Sequence, residues 1–177
     1  MEYKGQGGLL MIDIKLASVV WAVAPTKPDL LGEEVHIWRA SLNLEPDVLK
    51  RLEATLAPEE KSRAARFIMD RDRDSFIAAR GILRELLGKY LGWPPATLEF
   101  DYGPHGKPAL HTENSHPPIC FNLSHSHGLA LYAFADRREL GIDLELIRPD
   151  FGGEEVAKRF FSTRELTELR ALPPALQ

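Results

Sequence analysis

A chain of 177 residues, 44% hydrophobic and 27% charged, is long enough for one domain or for two small, tightly joined lobes around a real core. Its formal net charge of −4 gives no overall reason to expect nucleic acid or an anionic membrane as a partner. Cys120 is the single cysteine, which excludes an internal disulfide and fits a reducing compartment.

Residues 9–24 are fairly apolar, and Ala22-Val23-Ala24 resembles a signal-peptidase site. Asp13 and Lys15 interrupt that stretch, Glu2 offsets Lys4, and Pro25 would follow the cut, all of which argue against a leader. The stretch is also too short and too charged to span a bilayer. The expectation is therefore a cytoplasmic protein whose residues 1–32 form an N-terminal extension, with Met11 an equally good start.

Pro25, Pro28 and Gly32 precede the first clear strand, residues 36–42. Leu44, Val48, Leu52 and Leu56 recur every four residues, the mark of one helix face. Pro58-Glu59-Glu60 opens a second helix, although Ala57 has no side chain with which to cap it. A longer helix is predicted over 70–91, with Phe76, Ala79, Leu83, Leu87 and Tyr90 on its inner stripe and Gly92-Trp93-Pro94-Pro95 ending it. Residues 98–102, 119–123, 129–135 and 140–146 read as strands between Gly, Pro, Asn and Ser clusters, and 153–161 and 163–172 read as helices. Helices first and strands later predict an α+β fold, and no G-x-G-x-x-G or Walker sequence contradicts this.

Five segments can carry chemistry, and each also has an ordinary structural explanation. In Leu140-Gly-Ile-Asp-Leu-Glu-Leu146 a strand would put Asp143 and Glu145 on one face, about 7 Å apart at the backbone. Two such carboxylates suit magnesium, which prefers hard oxygen ligands, or they form the solvated face of an amphipathic strand. Phe121-Asn-Leu-Ser-His-Ser-His-Gly128 offers hydroxyl, imidazole and N–H donors to a phosphate, or simply makes a turn. Tyr102-Gly-Pro-His-Gly-Lys-Pro-Ala109 holds Lys107 on a rigid bend, either toward a pyrophosphate or toward solvent. Residues 61–89 carry eight Lys or Arg against four Asp or Glu, so Arg63, Arg71 and Arg73 face an anionic ligand or pair on the surface. Ser162 and Glu165 have capping-box spacing, and Glu165 is also a candidate base.

In this order the segments resemble the 4′-phosphopantetheinyl transferase superfamily, in the larger two-lobed form that activates peptide synthetases and fatty-acid or polyketide carrier proteins. The resemblance runs from His36-Ile-Trp-Arg39 to Gln177, about four-fifths of the chain. It rests on Arg66-Phe67, Phe76-Ile-Ala-Ala-Arg-Gly81, Gly106-Lys-Pro108, Phe121-Asn-Leu-Ser-His-Ser126, Gly141-Ile-Asp-Leu-Glu145 and Ala157-Lys-Arg-Phe-Phe-Ser162. It implies a first α+β lobe over 33–118 and the first part of a second, pseudo-symmetric lobe over 119–177. It further implies Asp143 and Glu145 as magnesium ligands, and Lys107, Ser124 and His125 as contacts to the phosphates of coenzyme A. Arg63 or Arg71 would meet the 3′-phosphate, and Glu165 would be a base or a neighbour of the metal. The implied partners are coenzyme A and an acyl or peptidyl carrier protein whose serine receives the phosphopantetheine.

The family pattern continues with a helix bearing W-x-x-K-E-A or W-x-x-K-E-S, which supplies a further metal-binding glutamate and a phosphate-binding lysine. No Lys-Glu dipeptide occurs in this sequence. The resemblance therefore implies a second lobe cut short and little or no transferase activity for this polypeptide alone. One alternative is a non-catalytic coenzyme-A-binding remnant. Another is a transition-metal module built on His105, His111, His116, His125 and His127, whose spacing matches no compact zinc pattern.

Overall fold

The structure, a computed structural model, describes residues 21–104, 106–112, 119–146 and 153–173. In chain order these form β1 (Val35–Ser41), α1 (Pro46–Ala54), α2 (Pro58–Ala64), α3 (Asp70–Leu91), a 3₁₀ turn at Pro95–Thr97, β2 (Phe100–Tyr102), β3 (Pro108–Leu110), β4 (Ile119–Ser126), β5 (Leu129–Asp136), α4 (Gly153–Phe160) and α5 (Thr163–Ala171). The α+β expectation holds. Among the described residues no helix is long and apolar enough to cross a membrane.

An antiparallel sheet in the order β1-β5-β4 carries the core, and β2 and β3 form a separate hairpin. Period-two alternation sorts its side chains. Ala130, Tyr132 and Phe134 of β5 and Phe121 of β4 join Ala78, Ala79, Leu83, Leu86 and Leu87 of α3 in one buried cluster. Tyr132 donates its hydroxyl to the carbonyl of Ala79 at 3.1 Å, which pins the sheet to the helix. The sheet joins β1 to strands on the far side of the expected lobe boundary at residue 118, because Val35 to Ser41 pair with Ala135 to Leu129.

α3 runs over the predicted span, and Gly92 ends it with φ 71°, a left-handed position that glycine occupies without strain. α2 solves its missing cap differently. The Glu60 carboxylate reaches back to accept the N–H of Ala57 at 2.9 Å. The β4–β5 turn places His127 and Gly128 at φ 49° and 78°, the positive values that a two-residue hairpin turn of the primed type requires.

One predicted element is corrected. Residues 140–146 form no strand and pair with none among the described residues. The backbone groups of this segment are taken instead by side chains: the Leu140 carbonyl accepts from Lys107 and Asn122, and the Leu144 N–H donates to Ser124. The short strand β3 was not predicted. It pairs Pro108 to Leu110 with Tyr102 to Phe100, closing the Gly-Pro bend into a hairpin.

The least expected feature is a buried charge cluster. Glu60 is 2% exposed and Arg84 is fully buried at 0%. Arg84 donates Nε to Glu60 at 2.7 Å and Nη1 to the carbonyls of Pro95 and Leu98, both at 2.9 Å. Arg80 Nε lies 3.3 Å from the other Glu60 oxygen, and its guanidinium stacks over Phe100 and Tyr102. Burial pushes the Arg80 guanidinium down from its ordinary value. A single carboxylate therefore ties α2 to α3, while its two arginines reach the β2 segment.

Removing one member of such a cluster strands the others in a low dielectric. Glu60→Ala is expected to cost about 3–5 kcal/mol, measured by urea unfolding; a loss below about 1 kcal/mol, ordinary for exposed ion pairs, would contradict the burial. Gly81 is held by contact: a Cβ there would lie 2.6 Å from Leu52 Cβ on α1. Gly81→Ala gains about 1 kcal/mol of helix propensity but overpacks by about 1–3 kcal/mol, so the melting temperature falls. A higher melting temperature would show that α1 and α3 are not in close contact.

Candidate active site

β4 has two faces, and the candidate site lies on one of them and at its end. Odd-numbered Phe121 and Leu123 pack into the core, which sends Asn122 and Ser124 to the opposite side. There the segment 140–144 is tied down by these two residues and by Lys107. Lys107 Nζ donates to the Leu140 carbonyl at 3.2 Å, and Asn122 Nδ2 donates to the same oxygen at 3.3 Å. Ser124 Oγ donates to Asp143 Oδ1 at 3.0 Å and accepts the Leu144 N–H at 3.1 Å. The Leu144 N–H also reaches Asp143 Oδ1 at 2.9 Å.

These contacts bring an ammonium, a hydroxyl and a carboxylate onto one short stretch of chain. Ile142 and Leu144 are half-buried, whereas Asp143 and Glu145 are exposed, so the two carboxylates share the solvent side although no ladder holds them. Both recorded contacts to the Asp143 carboxylate use Oδ1, which fixes its orientation. Hard carboxylate oxygens held in this way fit a magnesium ion, which would keep most of its own waters. Among the described residues no group of three or more His, Cys, Asp or Glu side chains gathers as a metal site. His105 and His116 lie outside the described residues.

His125 goes elsewhere. Lying next to Ser124 on a strand, it points to the other face. There it joins Arg63, Phe67, Arg71, Phe76 and Ser126 around an open cavity of about 550 Å³. Arg63 stacks over the Phe76 ring at 5.2 Å, which orders a long cation at the cavity wall. Two arginines and two imidazoles, Arg63, Arg71, His125 and His127, outnumber the one carboxylate of this lining, Asp72, and leave it suited to a phosphate. The sequence grouped Lys107, Ser124 and His125 as a single phosphate contact set; the structure divides them between two faces of one strand.

Arg73 turns back to Asp70 and Asp74 at 2.8 and 3.0 Å and is a surface ion pair. Glu165 serves the start of α5. Its carboxylate accepts the N–H and the hydroxyl of Ser162, both at 2.8 Å, and these bonds hold its pKa below the usual carboxylate range. A second cavity of about 340 Å³ opens beside Lys107, walled by Pro104, Pro108, Leu110, Ile119, Phe121 and Leu140. The sequence did not signal it, because β3 supplies part of its wall.

Comparison with known proteins bears on the family. The family model described as 4′-phosphopantetheinyl transferase, N-terminal, matches residues 40–136, more than half of the chain. The chain is 46% identical over 153 residues to the 4′-phosphopantetheinyl transferase HetI of Nostoc sp. (strain PCC 7120), covering 86% of this chain and 65% of that protein. It is 32% identical over 127 residues to a 4′-phosphopantetheinyl transferase of Bacillus subtilis, covering 72% and 54%. The chain thus spans less than two thirds of the length of these curated relatives. Among solved structures, a holo-(acyl-carrier-protein) synthase from Bacillus anthracis in complex with CoA (3′,5′-ADP) superposes with a TM-score of 0.45 at 23% identity, covering 56% of this chain and 91% of that one. The chain belongs to the 4′-phosphopantetheinyl transferase family.

Proposed function

We propose that the protein acts in the magnesium-dependent transfer of 4′-phosphopantetheine from coenzyme A to a serine of an acyl or peptidyl carrier protein. The observation that carries this reading is the bond from Ser124 to Asp143, with Lys107 anchored on the same segment. It sets an ammonium and a hydroxyl beside a carboxylate, which supports this reading.

In this reading Lys107 and Ser124 contact the diphosphate, since an ammonium with three protons can hold the Leu140 carbonyl and still donate outward. Arg63, Arg71 and His125 take the 3′-phosphate in the basic cavity. Asp143 and Glu145 would hold magnesium, which when bound neutralises charge on the pyrophosphate. The carrier serine oxygen bonds to the β-phosphorus, the bond from that phosphorus to the bridging oxygen breaks, and 3′,5′-ADP leaves with the bonding electrons. A carboxylate takes the serine proton. Glu165 is a weakened base, because its bonds from Ser162 favour the ionised form. Positioning and electrostatics supply most of the rate, as in other phosphoryl-type transfers. Among the described residues only these two carboxylates are placed for the ion, and two hold it loosely, so labelling of a carrier protein is expected to be slow or absent unless a third acidic ligand joins them.

Calorimetry tests the site without requiring turnover. Coenzyme A is expected to bind at least about 5-fold tighter with magnesium than without, and Asp143→Asn with Glu145→Gln should abolish that difference. Equal magnesium dependence in the double variant would remove both residues from the metal site. Arg63→Ala with Arg71→Ala should weaken coenzyme A by about 10-fold or more while leaving 3′-dephospho-coenzyme A nearly unchanged. Equal losses for both ligands would place the 3′-phosphate elsewhere.

A further inference from the structure

The link between α2 and α3 exposes three consecutive apolar residues. Phe67 is 38% exposed, Ile68 96% and Met69 62%. Single exposed apolar side chains are common, but a contiguous run at a loop tip marks a contact surface. It sits in a basic frame. Residues 61–73 contain Lys61, Arg63, Arg66, Arg71 and Arg73 against Asp70 and Asp72, within a chain whose net charge is −4. Arg73 is occupied by Asp70 and Asp74, whereas Lys61 and Arg66 are exposed, and Arg66 directly precedes the tip in sequence. The tip also borders the basic cavity: Phe67 lines it, together with Arg63 and Arg71.

We infer that Arg66, Ile68 and Met69 form a docking surface for the carrier protein, which meets it with an anionic patch bearing apolar side chains. This rests on the transferase reading above. Charge complementarity selects the partner's chemistry, since a local cationic field in an acidic molecule steers an acidic protein to this one place. Position selects the partner. A protein whose serine must reach coenzyme A gains from docking at the rim of the cavity that would hold that ligand. The apolar pair supplies contact area at the centre and Arg66 supplies orientation at the edge, the usual division within a small interface.

The 177-residue chain can be tested by fluorescence anisotropy with a labelled apo-acyl carrier protein of a fatty-acid synthase, at low and at moderate salt. Ile68→Ser with Met69→Ser should weaken binding about 10-fold or more, and Arg66→Glu about 5-fold with a reduced salt dependence. Thermal melts should be unchanged, since the altered side chains lie at the surface. Coenzyme A binding, measured in parallel, should also be unchanged. If the wild-type chain binds coenzyme A but the variants hold the carrier protein as well as it does, the docking surface is overturned and the transferase reading stands. If the wild-type chain does not bind coenzyme A, the transferase reading itself fails. Sedimentation with phosphatidylglycerol vesicles decides the competing case: vesicle binding lost in the Ser variants, with carrier binding intact, would make the tip a membrane contact and overturn the proposal.

Discussion

The two-sided use of β4 is the constraint on which the rest of the molecule depends. Phe121 and Leu123 on one face are anchored in the core beneath α3, and Asn122 and Ser124 on the other face grip the chain that bears Asp143. The register of β4 against β5 fixes both at once, with Phe121 opposite Phe134 and Ser124 opposite Leu131. A slip of one residue would send Phe121 to solvent and Ser124 into the core, so the hydrophobic effect that sets the register also sets the site. Packing and chemistry are coupled through a single alternation.

The buried Glu60–Arg84 pair gives the second half of the site its rigidity. It joins α2, which carries Arg63, to α3, which carries Arg71, and Arg84 extends to the carbonyls of Pro95 and Leu98. The β2–β3 hairpin that presents Lys107 then follows through the rings of Phe100 and Tyr102 under Arg80. Ionic groups without water are costly, and the arrangement is stable because each charge meets an opposite charge, a carbonyl or an aromatic face. Cationic residues widely separated in sequence are thereby held at fixed places around one strand.

Much of this was legible in the sequence where local physics decides the outcome. The ends of α3 were readable because Gly92 and the prolines after it leave the helix no way to continue. Residues 140–146 were misread because alternation of exposure also occurs in a chain lying on a surface, whereas a strand also needs a partner for its backbone. Here Lys107, Asn122 and Ser124 are those partners. β3 escaped notice because three residues beginning with proline carry almost no pattern. The burial of Arg80 and Arg84 was also hidden, since charged residues are read as solvent-facing unless a buried partner is known. Their spacing of four, in step with Leu83 and Leu87, was the available signal. The sheet that joins β1 to β5 depends on long-range pairing, which no local window reports.

In the proposed function the Asp143–Ser124 side of β4 would hold a divalent ion against a diphosphate, and the Arg63–Arg71 cavity would hold a separate phosphate. Manganese in place of magnesium would test this most directly, through its paramagnetic broadening of the phosphorus resonances of coenzyme A bound to the protein. The account predicts that the two diphosphate signals broaden strongly and the 3′-phosphate signal much less. Equal broadening of all three, or none above that of the free ligand with manganese, would contradict it.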